Sequence, residues 1–214
     1  SNGHICPIRY VAMAMSGYFP IEELKTLRKL GSRLQGHPER ERVPGVETVS
    51  GPLGSGLGQA AGVAYGARMD GKKFRVYCFM SDGEHDAGNL WESAMFIGKN
   101  KLSNLTGLID RNNIQIGGFT QDIMNLEPFE QKMRAFNWHT IVIDGNKMNQ
   151  ILDAFAEAKN VKGKPIIIIA KTIPGKGVSF MENDYKWHGK PPTAEEAEKA
   201  LKELDAEKEK IRDS

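Results

Sequence analysis

Cysteine is nearly absent from this 214-residue sequence: Cys6 and Cys78 are too few and too far apart for a zinc ribbon or a disulfide framework. Cys78 lies inside the apolar run 74–80 and reads as a small core residue. Long apolar runs are missing as well. Stretches such as 166–170 fall far short of the 18 or so residues that span a bilayer, and no basic segment followed by an apolar one opens the chain. Together these absences predict a soluble, cytoplasmic protein with no membrane partner. An excess of one charge is lacking too, since 29 Lys and Arg against 27 Asp and Glu leave only +2. That balance gives no support to a nucleic-acid partner, which wants a basic stripe. Neither internal repeats nor low-complexity segments occur.

What is there has the composition of an ordinary globular domain: 40% apolar residues, about half once the 23 glycines are added, and 26% charged. The length suits one domain, or one and a fraction. A compact chain of 23.7 kDa exposes about 10,000 Å² when folded. The opening Ser1-Asn2-Gly3-His4 has no Met, which reads as the start of a fragment.

Leu24, Leu27, Leu30 and Leu34 recur at helical spacing after Pro20 and predict a surface helix, with Glu22 and Glu23 in its first turn. From Gly51 to Gly71 the composition turns to Gly, Ala and Ser. Gly58, Gly62 and Gly66 would line one helix face, for close packing inside the chain or for a contact between subunits. A strand over 74–80, a helix carrying Leu90, Trp91, Ala94 and Met95, and a strand over 105–109 form a parallel βαβ unit. A strand over 140–143, a helix over 148–158 with Ile151, Leu152 and Phe155 inward, and a strand over 165–171 continue the alternation. The expected fold is α/β, a doubly wound, mostly parallel sheet with helices on both faces. Residues 1–192 form the expected domain, and 193–214 a charged helix opened by a Thr193/Glu196 capping box. With eight acids and five bases, that segment reads as a solvated helix leading to a linker.

Ligands of a parallel sheet gather at the carboxyl ends of its strands. The first βαβ unit brings Asp82 and Asn112-Asn113 to one crevice. A carboxylate, an amide oxygen and a backbone carbonyl make a hard-oxygen set suited to Mg²⁺ or Ca²⁺ with phosphate oxygens, and Gly83 allows close backbone approach to a diphosphate. A plain Asp-Gly turn beside an Asn-Asn loop is the alternative.

Ser81-Asp82-Gly83-Glu84, with Asn112-Asn113-Ile114-Gln115-Ile116 following 30 residues after Asp82, resembles the thiamine-diphosphate motif. Ser1-Asn2-Gly3-His4, Gly36-His37-Pro38-Glu39, Gly45-Val46-Glu47, Gly51-Pro52-Leu53-Gly54-Ser55-Gly56 and Trp187-His188-Gly189-Lys190-Pro191-Pro192 stand in the order found in transketolases. The resemblance covers nearly the whole chain. It implies that Asp82 and Asn112 ligate the metal through side chains and Ile114 through its carbonyl, with Ser81 and Gly83 beside the diphosphate. It also implies that Gly51 and Leu53 lie near the thiazolium ring and that Ile116 forms an apolar wall. By the same resemblance His4, His37 and His188 surround the reacting carbon as catalytic groups, and His188 also touches the cofactor.

The resemblance further implies transfer of a two-carbon ketol unit from a ketose phosphate to an aldose phosphate. Two domains of full-length transketolase, and the segment ahead of the first motif, have no counterpart in these residues. The expected partner is therefore a C-terminal transketolase subunit bearing the pyrimidine-binding and C-terminal domains, in an α2β2 assembly that also takes up sugar phosphates. Ala87 stands where the family pattern places a glutamate linking active sites, and Gly117 where it places an aspartate. Two other readings are a non-catalytic or regulatory transketolase-like chain and another thiamine enzyme, such as the α chain of a 2-oxoacid dehydrogenase.

Overall fold

Pro7 sits in the first turn of α1 (Cys6–Met15), where its missing N–H costs no helical hydrogen bond. In the computed structural model, which describes residues 1–212, α1 packs Tyr10, Met13 and Ala14 against Phe19, Leu34, Val43 and Val46 as a small core of its own. The expected leucine helix is not formed. A 3-10 turn, Ile21–Thr26, is followed by Arg28 at φ 59° and Gly31 at φ 82°, conformations no α-helix accommodates. Leu34 is consequently fully buried while Leu30 stands wholly exposed.

Gly54, at φ 81°, turns the chain into α2 (Ser55–Met69). Then come β1 (Val76–Ser81), α3 (Gly88–Lys99), β2 (Leu105–Arg111) and a two-stranded antiparallel ribbon of β3 (Ile114–Gln115) and β4 (Gly118–Phe119). The remaining elements are α4 (Thr120–Ile123), α5 (Phe129–Ala135), β5 (His139–Asp144), α6 (Met148–Asn160), β6 (Ile166–Lys171) and α7 (Ala194–Arg212). The main sheet has the order β1-β2-β6-β5, and every neighbouring pair is parallel.

Four consecutive isoleucines in β6 are buried because this sheet is covered on both faces. Ile167 and Ile169 join the core under α2, α3 and α5, with Leu57, Leu90, Phe129 and Trp138. Ile166 and Ile168 face the other way, towards Ala154 and Ala158 of α6. Leu152, expected to point inward from α6, is 61% exposed, and Ala154 and Ala158 take the inner face instead. Cys78 is buried in the core as expected.

Gly58 faces Ser93, but nothing lies within 4 Å of where a Cβ would stand on Gly62 or Gly66. Close packing inside the chain therefore does not account for that glycine face. The structure exposes 12,775 Å², well above the roughly 10,000 Å² of a compact monomer of this mass. Half-exposed Tyr77 and Phe79 on the edge strand β1 and exposed Met69 and Met95 contribute to the excess. Among the described residues no helix is long and apolar enough to cross a membrane. Thr193 and Glu196 form the expected capping box, each backbone N–H bonded to the other's side chain. Residues 213 and 214, the end of the expected 193–214 segment, lie outside the described residues.

Candidate active site

Parallel register sets Ser81 beside Asp110 and Asp110 beside Ala170, so β1, β2 and β6 end together. Asp82, one residue past β1, is completely buried. Its Oδ2 accepts from Arg111 Nη1 at 2.8 Å and from the backbone N–H of Asn113. Its Oδ1 has no partner. Burial pushes the Asp82 carboxyl up to about 6, against the opposing pull of the Arg111 guanidinium.

Arg111 is itself held in place: Nη2 donates to Glu127 Oε1 at 2.8 Å and Nη1 to Thr120 Oγ1 at 3.3 Å. Two positions further on, Asn113 takes φ 63° and Asn112 closes a tight turn. Asn112 Oδ1 accepts the Ile114 N–H at 3.0 Å, and its Nδ2 donates to Asp110. Ile114 is buried, while Ile116, placed by resemblance in an apolar wall, stands 78% exposed in this chain.

Gly83 has Gln115 leaning over it, with Gln115 Oε1 only 3.0 Å from where a Cβ would stand. Glu84 is fully buried and fastens the glycine loop, accepting the Gly54 N–H at 2.8 Å and the Ser1 hydroxyl on the same oxygen. Leu53 of that loop is partly exposed. Gly51 lies against the His37 ring, as does Gly3.

The histidine segments converge. The rings of His4 and His188 stand 5.4 Å apart, and His37 is near enough to act on His4 electrostatically. Burial, then the nearby His188 and His37, lowers the pKa of His4, with Glu84 opposing; burial also lowers that of His188. Both rings are therefore neutral near pH 7, able to accept a proton or present an N–H.

Buried polar atoms without partners gather around this crevice. They include both amide atoms of Asn2, Ser50 Oγ, Asp82 Oδ1 and Glu84 Oε2. An orphaned buried carboxylate oxygen costs stability unless something binds it, and Asp82 Oδ1 fits a hard cation. Among the described residues no three His, Cys, Asp or Glu side chains cluster as a metal site. A cation here would rest on one carboxylate, with amide, carbonyl and phosphate oxygens completing its shell.

Sequence reasoning missed Arg111, Glu84, Glu127 and His85. Arg111 could have been found by strand alternation, which sets it on the same face of β2 as Ile109, beside Asp82. Glu127 lies in a loop, and no sequence signal places it near Arg111. His85 is a core residue: its Nδ1 lies 2.8 Å from the Ser81 carbonyl, and its ring packs edge-on to Trp91 and Phe129.

Residues 1–212 match the family of the transketolase thiamine-diphosphate-binding domain. A 6-deoxy-6-sulfo-D-fructose transketolase subunit of Clostridium sp. (strain MSTE9) is 42% identical over 207 residues, covering 97% of this chain and 75% of that relative. One of the apulose-4-phosphate transketolase subunits of Phocaeicola vulgatus is 40% identical over 99% of this chain and 75% of its own length. Against mouse transketolase the identity is 38%, and the match spans only 32% of that longer protein. A solved transketolase variant from Pichia stipitis superposes with a TM-score of 0.90 at 30% identity, over 95% of this chain and 32% of the other.

Proposed function

Because this chain belongs to the transketolase family, as the N-terminal, thiamine-diphosphate-binding domain of a transketolase-type enzyme, we propose that it holds the diphosphate and metal half of a ketol-transfer site. The single observation that carries this reading is buried Asp82 with its free oxygen just past β1, while the paired rings of His4 and His188 feel its chain neighbour Glu84 and the adjoining strand-end residue Asp110. Asp82 and Asn112 would hold Mg²⁺ or Ca²⁺ through their side chains and Ile114 through its carbonyl. Asn112 Oδ1, which accepts the Ile114 N–H, keeps a second lone pair for the ion. Ser81 and Gly83 would flank the diphosphate, with Gly51 and Leu53 nearer the thiazolium. Thiamine diphosphate, when bound, supplies the carbanion chemistry by which a carbon–carbon bond is broken and remade. His4, His37 and His188 would hydrogen-bond the sugar oxygens and move protons at its carbonyl and hydroxyl groups.

The split relatives are named for apulose 4-phosphate and for 6-deoxy-6-sulfofructose. Both names describe a ketose bearing an anionic group, so the proposed donor here is a ketose of that kind and the acceptor an aldose phosphate. The excess surface supports a partner: a chain carrying the pyrimidine-binding and C-terminal domains, in an assembly of two copies of each. In this reading residues 1–192 are the thiamine-diphosphate domain, and the isolated chain has no turnover.

The test is calorimetric titration of thiamine diphosphate with Mg²⁺ into the assembled protein. Asp82→Ala should abolish binding, and a chelator should do the same to the wild type. Unchanged affinity in either case would remove the reading, as would full ketol transfer by this chain alone.

A further inference from the structure

We propose that α7 is a brace that positions His188, with Glu203 as its principal contact. The proposal rests on the preceding assignment of His188 to the reacting end of the sugar. Between β6 and α7 the chain runs through residues 172–193 with a single 3-10 turn, Tyr185–Trp187, immediately before His188. A segment with so little regular structure needs outside contacts to hold a side chain in one place.

Tyr185 meets the Phe119 ring of β4 and His188 the His4 ring, and the contacts on either side of them come from one face of α7. Glu203 grips Ser179 twice, accepting its backbone N–H on Oε2 at 2.6 Å and its hydroxyl on Oε1 at 2.9 Å. One turn earlier Lys199 lies 4.9 Å above the Phe180 ring. A further turn back, Glu196 receives Lys190 Nζ at 3.3 Å, and that ammonium sits 3.9 Å above the Trp187 ring. Leu204 packs on Gly177. Positions 196, 199/200 and 203/204 repeat at the spacing of a single helical face, and Ala200 between them is buried.

From Phe180 the path to His188 is short. Trp187 Nε1 donates to the Phe180 carbonyl at 2.9 Å, the two rings stand 5.5 Å apart, and His188 N–H bonds to Tyr185. The helix thus holds the loop on both sides of the histidine, at residues 179–180 and at 187–190. Nothing in a role as spacer or solvated linker calls for a two-pronged carboxylate on Ser179. By touching neither substrate nor cofactor, Glu203 acts as a positioning residue.

The experiment compares Glu203→Ala, Glu203→Gln and, on the outer face of the helix, Lys202→Ala. Hydrogen exchange of residues 176–190 and the NMR line shape of the His188 ring are read in the chain alone; turnover and thiamine diphosphate affinity are read in the assembled protein. Glu203→Ala should speed exchange in 176–190 by roughly tenfold, the effect of losing a charge-assisted hydrogen bond, and broaden or shift the His188 signals, with β1, β2, β5 and β6 unaffected. Glu203→Gln, which keeps one acceptor, should be intermediate, and Lys202→Ala should match the wild type. In the assembly, kcat should fall with Glu203→Ala while cofactor affinity holds. Unchanged exchange or an unchanged His188 signal in Glu203→Ala overturns the brace, and so does a Lys202→Ala effect of equal size. If the wild-type assembly itself has no turnover, the functional reading fails, and the exchange and NMR results still decide whether α7 holds His188.

Discussion

His85 should make the fold sensitive to mild acid, and the size of the effect follows from its surroundings. The ring is 1% exposed, with Nδ1 against the Ser81 carbonyl, Nε2 unpartnered, and Trp91 and Phe129 edge-on to it. Burial pulls its pKa down to about 4, against an unfolded value of about 6.5. A base whose folded pKa is depressed binds its proton more readily in the unfolded chain, so stability falls as pH drops below about 6.5 and levels off near 4. Between pH 7 and pH 5 the loss works out at about 2 kcal/mol. Asp82 pulls the other way, since its raised carboxyl takes up a proton in the folded state over part of the same range. The wild-type profile alone therefore hides the effect. The assay is urea unfolding of wild type and His85→Phe at both pH values. At pH 7 the variant should be less stable, having lost the Ser81 hydrogen bond. The gap should close or reverse by about 2 kcal/mol at pH 5. Parallel profiles would refute the neutral, buried state of His85.

Four further outcomes follow from other sites. Arg111→Met leaves the buried Asp82 without its counter-ion and should cost about 3–5 kcal/mol in urea unfolding; the double variant with Asp82→Asn should recover much of that loss. Gly98→Ala would set a Cβ 1.8 Å from the Phe136 carbonyl oxygen and should destabilise by at least about 2 kcal/mol. Gly62→Ala meets open space and should stabilise the isolated chain by about 1 kcal/mol, a contrast that thermal melts will show. In the assembled enzyme His188→Ala should lower turnover by roughly 10²-fold or more with far less change in cofactor affinity; normal turnover would refute its role.

Much of the main sheet was legible in the sequence because β-branched runs such as 166–169 sit between clear helical periods, and parallel pairing follows from the alternation. The leucine spacing over 24–34 misled because periodicity cannot see the positive φ of Arg28. At the site, Asp82, Asn112 and the histidines carry readable motifs, and the structure brings Asp82 and Asn112 to one crevice and the histidines to each other. Strand alternation could have set Arg111 beside Asp82, but its link to Glu127 was invisible because the two stand 16 positions apart and meet through side chains alone. The charged pattern of α7 was read as solvated because composition does not say which face of a helix meets a loop.

The sequence contains only three tryptophans, and the fold distributes them so that emitted light can tell apart events that most methods blend. Trp138 is sealed in the core with its N–H on the Ala94 carbonyl, a site that should emit blue-shifted light until the whole sheet comes apart. Trp91 touches the His85 ring, and an imidazole that gains a proton quenches a neighbouring indole. Trp187 rides next to His188 under the Lys190 ammonium. Three variants, each keeping one indole, would make of this chain its own set of optical gauges: one for global melting, one for acidification beside Asp82, and one for the seating of the histidine loop.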